Sequence, residues 1–267
     1  MRLYTYAIIN SKDEIDESIT GLERSSVYNI AYRDIGVVAS ELNEEIKQIT
    51  DNSALEHEKV VERLMTNFTV LPMRFLTIFN TKEDLLSTLA FYYEDFKNNL
   101  ERLSNKVEFG IKVIWPADPI RQRIIEAYNK TRHNVSISMD SPAKSFLKEK
   151  LEKHIIDKEF EEEANRCIAV IDDYFNKIAR EKKLKKLQTE NLLLNSSYLV
   201  DKDRQNDFKQ AFEQLRSAPG DLKFLFSGPW PCYNFVTLTK KPASTYYLGV
   251  EDILDKLIRQ QDLREKV

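Results

Sequence analysis

The chain has 267 residues, of which 42% are hydrophobic and 31% are charged, and its formal net charge is −3. This length corresponds to about two ordinary domains, and the near balance of charges argues against nonspecific binding to phosphate backbones or anionic lipid. The chain contains only 6 glycines. None of them is spaced as in G-x-G-x-x-G or G-x-x-x-x-G-K loops, which excludes the common nucleotide-binding loops.

The cysteines and the N-terminus indicate the compartment. Cys167 and Cys232 match neither a disulfide framework nor a zinc spacing, and they fit a reducing cytosol. The N-terminal run at residues 3–9 is typical of a strand and not of a signal peptide. No stretch approaches the roughly 18 uncharged residues of a spanning helix. We therefore expect a soluble, cytoplasmic protein without membrane insertion.

The first third of the sequence predicts mixed α and β structure. Ser53 with Glu56, and Thr81 with Asp84, have the spacing of helix N-caps. His57 lies between two glutamates, so we expect it on a helix surface. Strand-like runs cover residues 3–9, 27–32, 35–42, 70–79 and 107–115.

The middle of the sequence predicts helices. Asp118-Pro119 and Ser141-Pro142 are typical of an N-cap followed by proline at the first helical position. Residues 143–188 lack glycine and proline, and one helix of that length would reach about 70 Å. We expect either a helical hairpin or a break near residues 157–163. The basic run at residues 177–186 is interpreted as the cationic end of this helical stretch and not as a nucleic-acid patch.

The last third returns to α and β structure. A strand at 191–200, a helix capped by Asp201 and a strand at 222–226 precede a Trp between two prolines, and a final helix is predicted from about residue 250. A strand-helix-strand pattern ending in Trp-Pro occurs twice, at Trp115-Pro116 and at Trp230-Pro231. We therefore predict an α+β protein with two α+β domains of split-βαβ type, at 1–117 and 189–267, connected by a helical segment at 118–188.

Residues arranged for catalysis are not found in the sequence. The three histidines have no partner at metal-ligand spacing, and neither cysteine has a nucleophile context. No strand has the paired aromatics of an RNA-binding domain. We expect no catalytic, cofactor-binding or metal site and no nucleic-acid partner.

Two segments are unusual, at residues 69–79 and 227–235. Prolines on both sides of Trp230 stiffen the chain, and two interpretations remain open: a strand exit packed over its own core, or a rigid aromatic surface for a partner. We expect the guanidinium of Arg74, in a strand, to pair with a carboxylate. The candidate interface residues are Pro72, Arg74, Phe75, Pro229, Trp230, Tyr233 and Phe235.

These segments resemble the gas vesicle protein GvpF/GvpL family. The resemblance covers most of the chain in order. It is carried by residues 4–9, His57-Glu58 and residues 70–79, 106–113, 194–200 and 228–235. Two positions depart from the family pattern: Leu76 stands where the family usually has glycine, and Cys232 where proline or alanine is common.

The resemblance implies an accessory or minor structural protein of gas vesicle formation, not an enzyme. It implies binding to the small hydrophobic shell protein and to other accessory proteins, a location with gas vesicles, and a ferredoxin-like C-terminal domain. The F and L types are hard to separate by motif. The alternatives are a ferredoxin-like small-molecule-binding protein or enzyme, and a scaffold protein, both without a vesicle role.

Overall fold

The computed structural model describes residues 2–42, 51–132, 142–185, 187 and 189–239. The protein has an α+β fold and divides into two compact units. The first contains the chain up to Glu108 together with the described residues from Trp230 onward, and the second is Phe109–Pro229. The predicted final helix near residue 250 and the Ser141 cap lie outside the described residues.

The sheet of the first unit is built around strand β1, which pairs antiparallel with β3, β4 and β5. Its order is β2-β3-β1-β4, with β5 also on β1. Every residue of β1 after Arg2 is buried, which explains why this strand reads as an almost continuous apolar run. The strands are β1 Arg2–Ile9, β2 Val27–Tyr32, β3 Ile35–Leu42, β4 Val70–Pro72 and β5 Ile78–Phe79.

Among the described residues of this unit there are two α-helices, α1 Asp51–Leu64 and α2 Lys82–Arg102. Val60, Val61 and Leu64 bury one face of α1 against the sheet core, as an amphipathic pattern predicts. The cap of α2 is confirmed, because the Thr81 side chain accepts a hydrogen bond from the Asp84 amide at 3.0 Å. The predicted start of α1 at Ser53 is wrong, since the helix already includes Asp51.

The second unit has the sheet order β7-β8-β6-β9. Aromatic rings form its core, with Phe109 stacked on Phe208 at 5.0 Å and on Phe226 at 5.4 Å. The strands are β6 Lys106–Ile114, β7 Glu181–Leu184, β8 Leu192–Asp201 and β9 Lys223–Trp230, and the helices are α3 Ala117–Arg132, α4 Pro142–Phe175 and α5 Gln205–Ser217. The chain order β6-α3-α4-β7-β8-α5-β9 is the β-α-β-β-α-β succession of the ferredoxin-like motif with two helices in its first crossover.

The predicted domain boundaries differ from this division. The ferredoxin-like unit includes β6 and does not begin at residue 189, because β6 lies between β8 and β9 in one sheet. Residues 118–188 contain α3 and α4, but they also contain strand β7. Sequence periodicity identifies β6 as a strand without revealing its partners, which follow it by some 80 residues or more.

The strand-helix-strand pattern that ends in Trp-Pro occurs twice, as β5-α2-β6 and β8-α5-β9. The first is not a βαβ unit of a single sheet, because β5 belongs to the first sheet and β6 to the second. Both sheets nevertheless share a strand order. In each, the second strand along the chain is at one edge and the first lies between the third and the fourth.

Helix α4 runs unbroken from Pro142 to Phe175, so the predicted break near residues 157–163 is wrong. Contacts from α3 and from Trp115, the residue after β6, stabilise this stretch: Arg121 bonds Asp157 at 2.7 Å, and the Phe160 and Trp115 ring centroids are 4.9 Å apart. The basic run does not end this helix, because four of its residues form edge strand β7. The predicted cap Asp118 is displaced, since it lies inside α3. Asp201 stands at the N-cap of the 3-10 turn Lys202–Arg204 that precedes α5, but without a side-chain cap bond.

Candidate functional site

The predicted interface residues differ widely in exposure. Pro72 and Phe75 are half-buried, as are Trp230 and Tyr233, whereas Pro229 is exposed. Arg74 is 7% exposed and Phe235 is fully buried. Only some of these side chains can therefore touch a partner without a structural change.

Residues 74–77 form a tight turn between β4 and β5. The Arg74 carbonyl accepts hydrogen bonds from the Thr77 amide at 3.0 Å and from the Thr77 hydroxyl at 2.7 Å. Leu76 has φ 70°, in the left-handed region, where glycine is most at ease. The prediction of one strand over 70–79 containing Arg74 is therefore wrong, because an extended strand cannot include this backbone. Pairing of Arg74 with a carboxylate stays a prediction.

A buried histidine fixes this turn. The Leu76 amide donates to the Tyr4 hydroxyl at 3.2 Å, and that hydroxyl contacts Nδ1 of His57 at 2.8 Å. Nε2 of His57 lies 3.0 Å from the Met73 carbonyl oxygen. Because a carbonyl only accepts, Nε2 carries the proton and Nδ1 accepts from Tyr4. His57 is 2% exposed, so the expected surface location is wrong.

Tyr6 extends the same cluster. Its ring stacks on His57 with centroids 5.5 Å apart, and its hydroxyl accepts from the Leu22 amide at 2.9 Å and lies 3.0 Å from the Ser40 hydroxyl. Tyr4 and Tyr6 are two residues apart in β1, and alternation places them on one face. That spacing was the available sequence signal. The glutamates on both sides of His57 instead suggested a solvent-exposed helix. That indication was misleading, because α1 buries only the face that carries His57.

The segment after Trp230 packs within the first unit, to which it belongs. Pro231, Cys232 and Phe235 are buried. The Asn234 amide donates to Oε2 of Glu108 at 2.8 Å, and its side-chain amide bonds Oε1. Burial raises the pKa of Tyr233, with further contributions from Tyr4 and Glu108. Of the two interpretations of this segment, packing over a core therefore applies to residues 231–235.

Strand β9 presents a different surface. It stands at the end of its sheet, so one of its edges has no strand partner among the described residues. Exposed and half-buried residues alternate along it, and Leu225 is 55% exposed. Pro229 falls near its end, where a proline is tolerated on an edge strand. This edge offers backbone hydrogen-bonding groups flanked by apolar side chains.

A cleft of about 400 Å³ lies within the second unit. Its lining is mostly apolar and includes Val170, Ile171, Leu215, Leu222 and Phe224. Within the described parts of the chain, no group of three His, Cys, Asp or Glu residues could hold a metal ion. In the same residues, no helix is both long and apolar enough to cross a bilayer.

Known proteins match the chain along most of its length. Gas vesicle protein F1 of Halobacterium salinarum is 26% identical over 241 residues, which cover 88% of this chain and 93% of that protein. Gas vesicle protein L1 of the same organism is 23% identical over 252 residues, with 87% and 89% covered. The crystal structure of GvpF from Microcystis aeruginosa has a TM-score of 0.77 at 22% identity and covers 89% of this chain and 99% of that one.

The family described as gas vesicle synthesis protein GvpL/GvpF matches residues 2–237. That span includes both sheets, the turn at residues 74–77 and the segment after β9. It also contains every stretch that carries the resemblance in the sequence. The chain belongs to the gas vesicle synthesis protein GvpL/GvpF family.

Proposed function

We propose that this chain is an accessory protein of gas vesicle formation, and that it binds the small hydrophobic shell protein and other accessory proteins during assembly. It acts in the cytoplasm, in association with gas vesicles, and is not an enzyme. Family membership supports the gas vesicle role. The observation that best supports the binding role is the outer edge of β9, which has no strand partner among the described residues and is flanked by apolar side chains.

The two edges of the second sheet support this choice. Three of the four residues of β7 are charged, Glu181, Lys182 and Lys183, and charged edge strands resist pairing with other chains. Strand β9 is twice as long, at 8 residues, and Lys223 is its single charged residue. An apolar partner protein can bind here before assembly by adding a strand to the edge of β9. The added strand satisfies the backbone hydrogen-bonding groups of the edge, and the partner's side chains contact Leu225.

Substitution of Leu225 tests this surface. Leu225→Lys places a charge on the β9 edge, and because the side chain is 55% exposed, the free energy of unfolding should change by less than about 0.5 kcal/mol. We expect capture of co-expressed shell protein to fall at least about tenfold, or about 1.4 kcal/mol of binding free energy.

Leu184→Lys is the matched control, since Leu184 is 68% exposed on the opposite edge strand. It should leave capture unchanged. Equal capture by both variants and the unaltered chain, with equal melting temperatures, would remove β9 from the mechanism.

A further inference from the structure

The backbone of β9 has a defined orientation in its sheet. Gly110 of β6 lies opposite Ser227, because a Cβ placed on Gly110 would be 4.0 Å from Cβ of Ser227 and 2.6 Å from its Oγ. Glu108, which comes earlier in β6, bonds Asn234, which follows β9. One strand thus advances as the other goes back, so β6 and β9 run antiparallel.

This pairing decides which backbone groups of β9 face outward. Directly opposed residues approach this closely in the non-hydrogen-bonded pairs of antiparallel strands. In such a pair the N–H and C=O of each residue point away from the partner strand. Ser227 therefore turns both groups to the outer edge of β9, and Lys223 and Leu225 do the same by alternation. Pro229 has no N–H, so the row of outward donors ends before it.

Apolar side chains flank this row on both faces of the sheet. Phe224 and Phe226 lie on the face that α5 covers, where their ring centroids are 6.1 and 4.4 Å from that of Phe212. Leu225 is exposed on the opposite face. A strand added to the edge would lie about 4.8 Å from β9, so its side chains would meet apolar groups on both faces.

The apolar cleft of the second unit adjoins the start of β9. Leu222 and Phe224 line it together with Leu215 of α5 and with Val170 and Ile171 of α4. Ile171 and Leu215 are buried, whereas Val170 is 61% exposed, so the cleft has an apolar floor and opens to solvent. Its volume of about 400 Å³ is in the range of clefts that hold ligands, about 300–1,000 Å³.

We propose that the outer edge of β9 and this cleft form one binding site for a continuous apolar run in extended conformation. The run pairs with residues 223–227 and places large apolar side chains in the cleft, since alternate side chains of an added strand point to the same face as Phe224. Main-chain hydrogen bonds supply affinity and the cleft supplies specificity.

The two faces of the site define the class of segment that fits it. Phe224 and the cleft lie on one face and Leu225 on the other, so the segment is apolar at successive positions. A strand with one face in water would instead alternate between apolar and polar residues. This assignment rests on the proposed function, because it specifies the segment of the shell protein that binds β9.

Thiol labelling tests whether the partner fills the cleft. Cys167 lines the cleft and Cys232 is buried, so modification of Cys167 by N-ethylmaleimide, located by mass spectrometry, reports on the cleft. We expect labelling of the full-length chain to slow at least about tenfold when co-expressed shell protein is bound, since the thiol is then reached only after the partner leaves. Capture of shell protein with an unchanged labelling rate would refute the role of the cleft and leave the proposed function standing. Failure of the chain to capture shell protein would refute the proposed function, and this site with it.

Two tryptophan substitutions on α4 give a second measurement. Val170→Trp places a large ring at the mouth of the cleft, and we expect capture of shell protein to fall at least about tenfold. Leu151→Trp is the matched control, because Leu151 is 57% exposed on the same helix and does not line the cleft, so it should leave capture unchanged. Equal capture by the two variants, at equal melting temperatures, would refute the role of the cleft. If Val170→Trp does not fold, the labelling rate of Cys167 decides.

Discussion

In the turn at residues 74–77, Leu76 adopts a backbone conformation that glycine adopts most easily. Its φ of 70° is positive, which costs a non-glycine residue about 1–2 kcal/mol. The side chain is half-buried against the core of the first unit, so packing offsets part of this cost. The turn keeps this geometry although Leu76 is not a glycine, because Tyr4 and Thr77 hold it by hydrogen bonds.

Two substitutions separate strain from packing at Leu76. Both Leu76→Ala and Leu76→Gly lose the packed side chain, but only glycine relieves the positive φ. We expect the glycine variant to be the more stable of the two by about 1 kcal/mol, the reverse of the usual order in regular structure. Urea unfolding measures the difference. An alanine variant equal to or better than glycine would show that the turn is not held at this φ.

At the scale of elements, the β2–β3 hairpin is fastened to helix α2 by a surface network. Asp34 in the hairpin turn accepts from the Tyr93 hydroxyl and from Nζ of Lys97 at 3.0 Å. The guanidinium of Arg33 lies 4.5 Å from the Tyr93 ring centroid. The hydrogen bond from Tyr93, with that from Lys97, lowers the pKa of Asp34 from 3.8 to about 2.

This pKa gives the network a defined pH dependence. A carboxylate with a lowered folded-state pKa stabilises the fold fully above its unfolded value of 3.8, and the contribution is lost as the pH falls through about 2. We therefore expect the stability difference between the unaltered chain and Asp34→Asn to shrink as the pH falls from about 5 to about 2. Urea midpoints across that range measure it. A difference that stays constant with pH would contradict the assigned hydrogen bonds.

Across the chain, the sequence predicts correctly those elements whose signals lie within the element itself. Strand-like apolar runs located β1, β2, β3 and β8, and the Thr81 cap located α2. The prediction fails where partners are distant in the chain. Nothing near β6 predicts its neighbours β8 and β9, and Lys-rich β7 looks like a helix end because edge strands use charge to prevent pairing.

For the candidate site too, the sequence predicted some residues and missed others. Proline and tryptophan made residues 229–235 conspicuous, and the structure places them at the end of an edge strand and in a packed segment. The cluster of Tyr4, Tyr6 and His57 was missed because its members meet only after α1 docks on the sheet. Polar residues such as Asp95 and Asn99 look like an exposed helix face in sequence, although both are buried by a segment more than 130 positions away.

The first unit is assembled from two separate stretches of chain, which makes its stability depend on residues after β9. A chain ending at Trp230 would lose Phe235, which is fully buried, and would leave Asp95, Asn99 and Glu108 without the partners they bind in residues 234–239. Loss of a buried Phe side chain alone costs about 3–5 kcal/mol, and loss of the hydrogen bonds to residues 234–239 adds to this. We expect hydrogen exchange to show lost protection in β1 and α2, while β8 and α5 of the second unit stay protected. Equal loss in both units would mean that they fold as one cooperative body, and no loss in either would mean that the segment adds nothing to the fold.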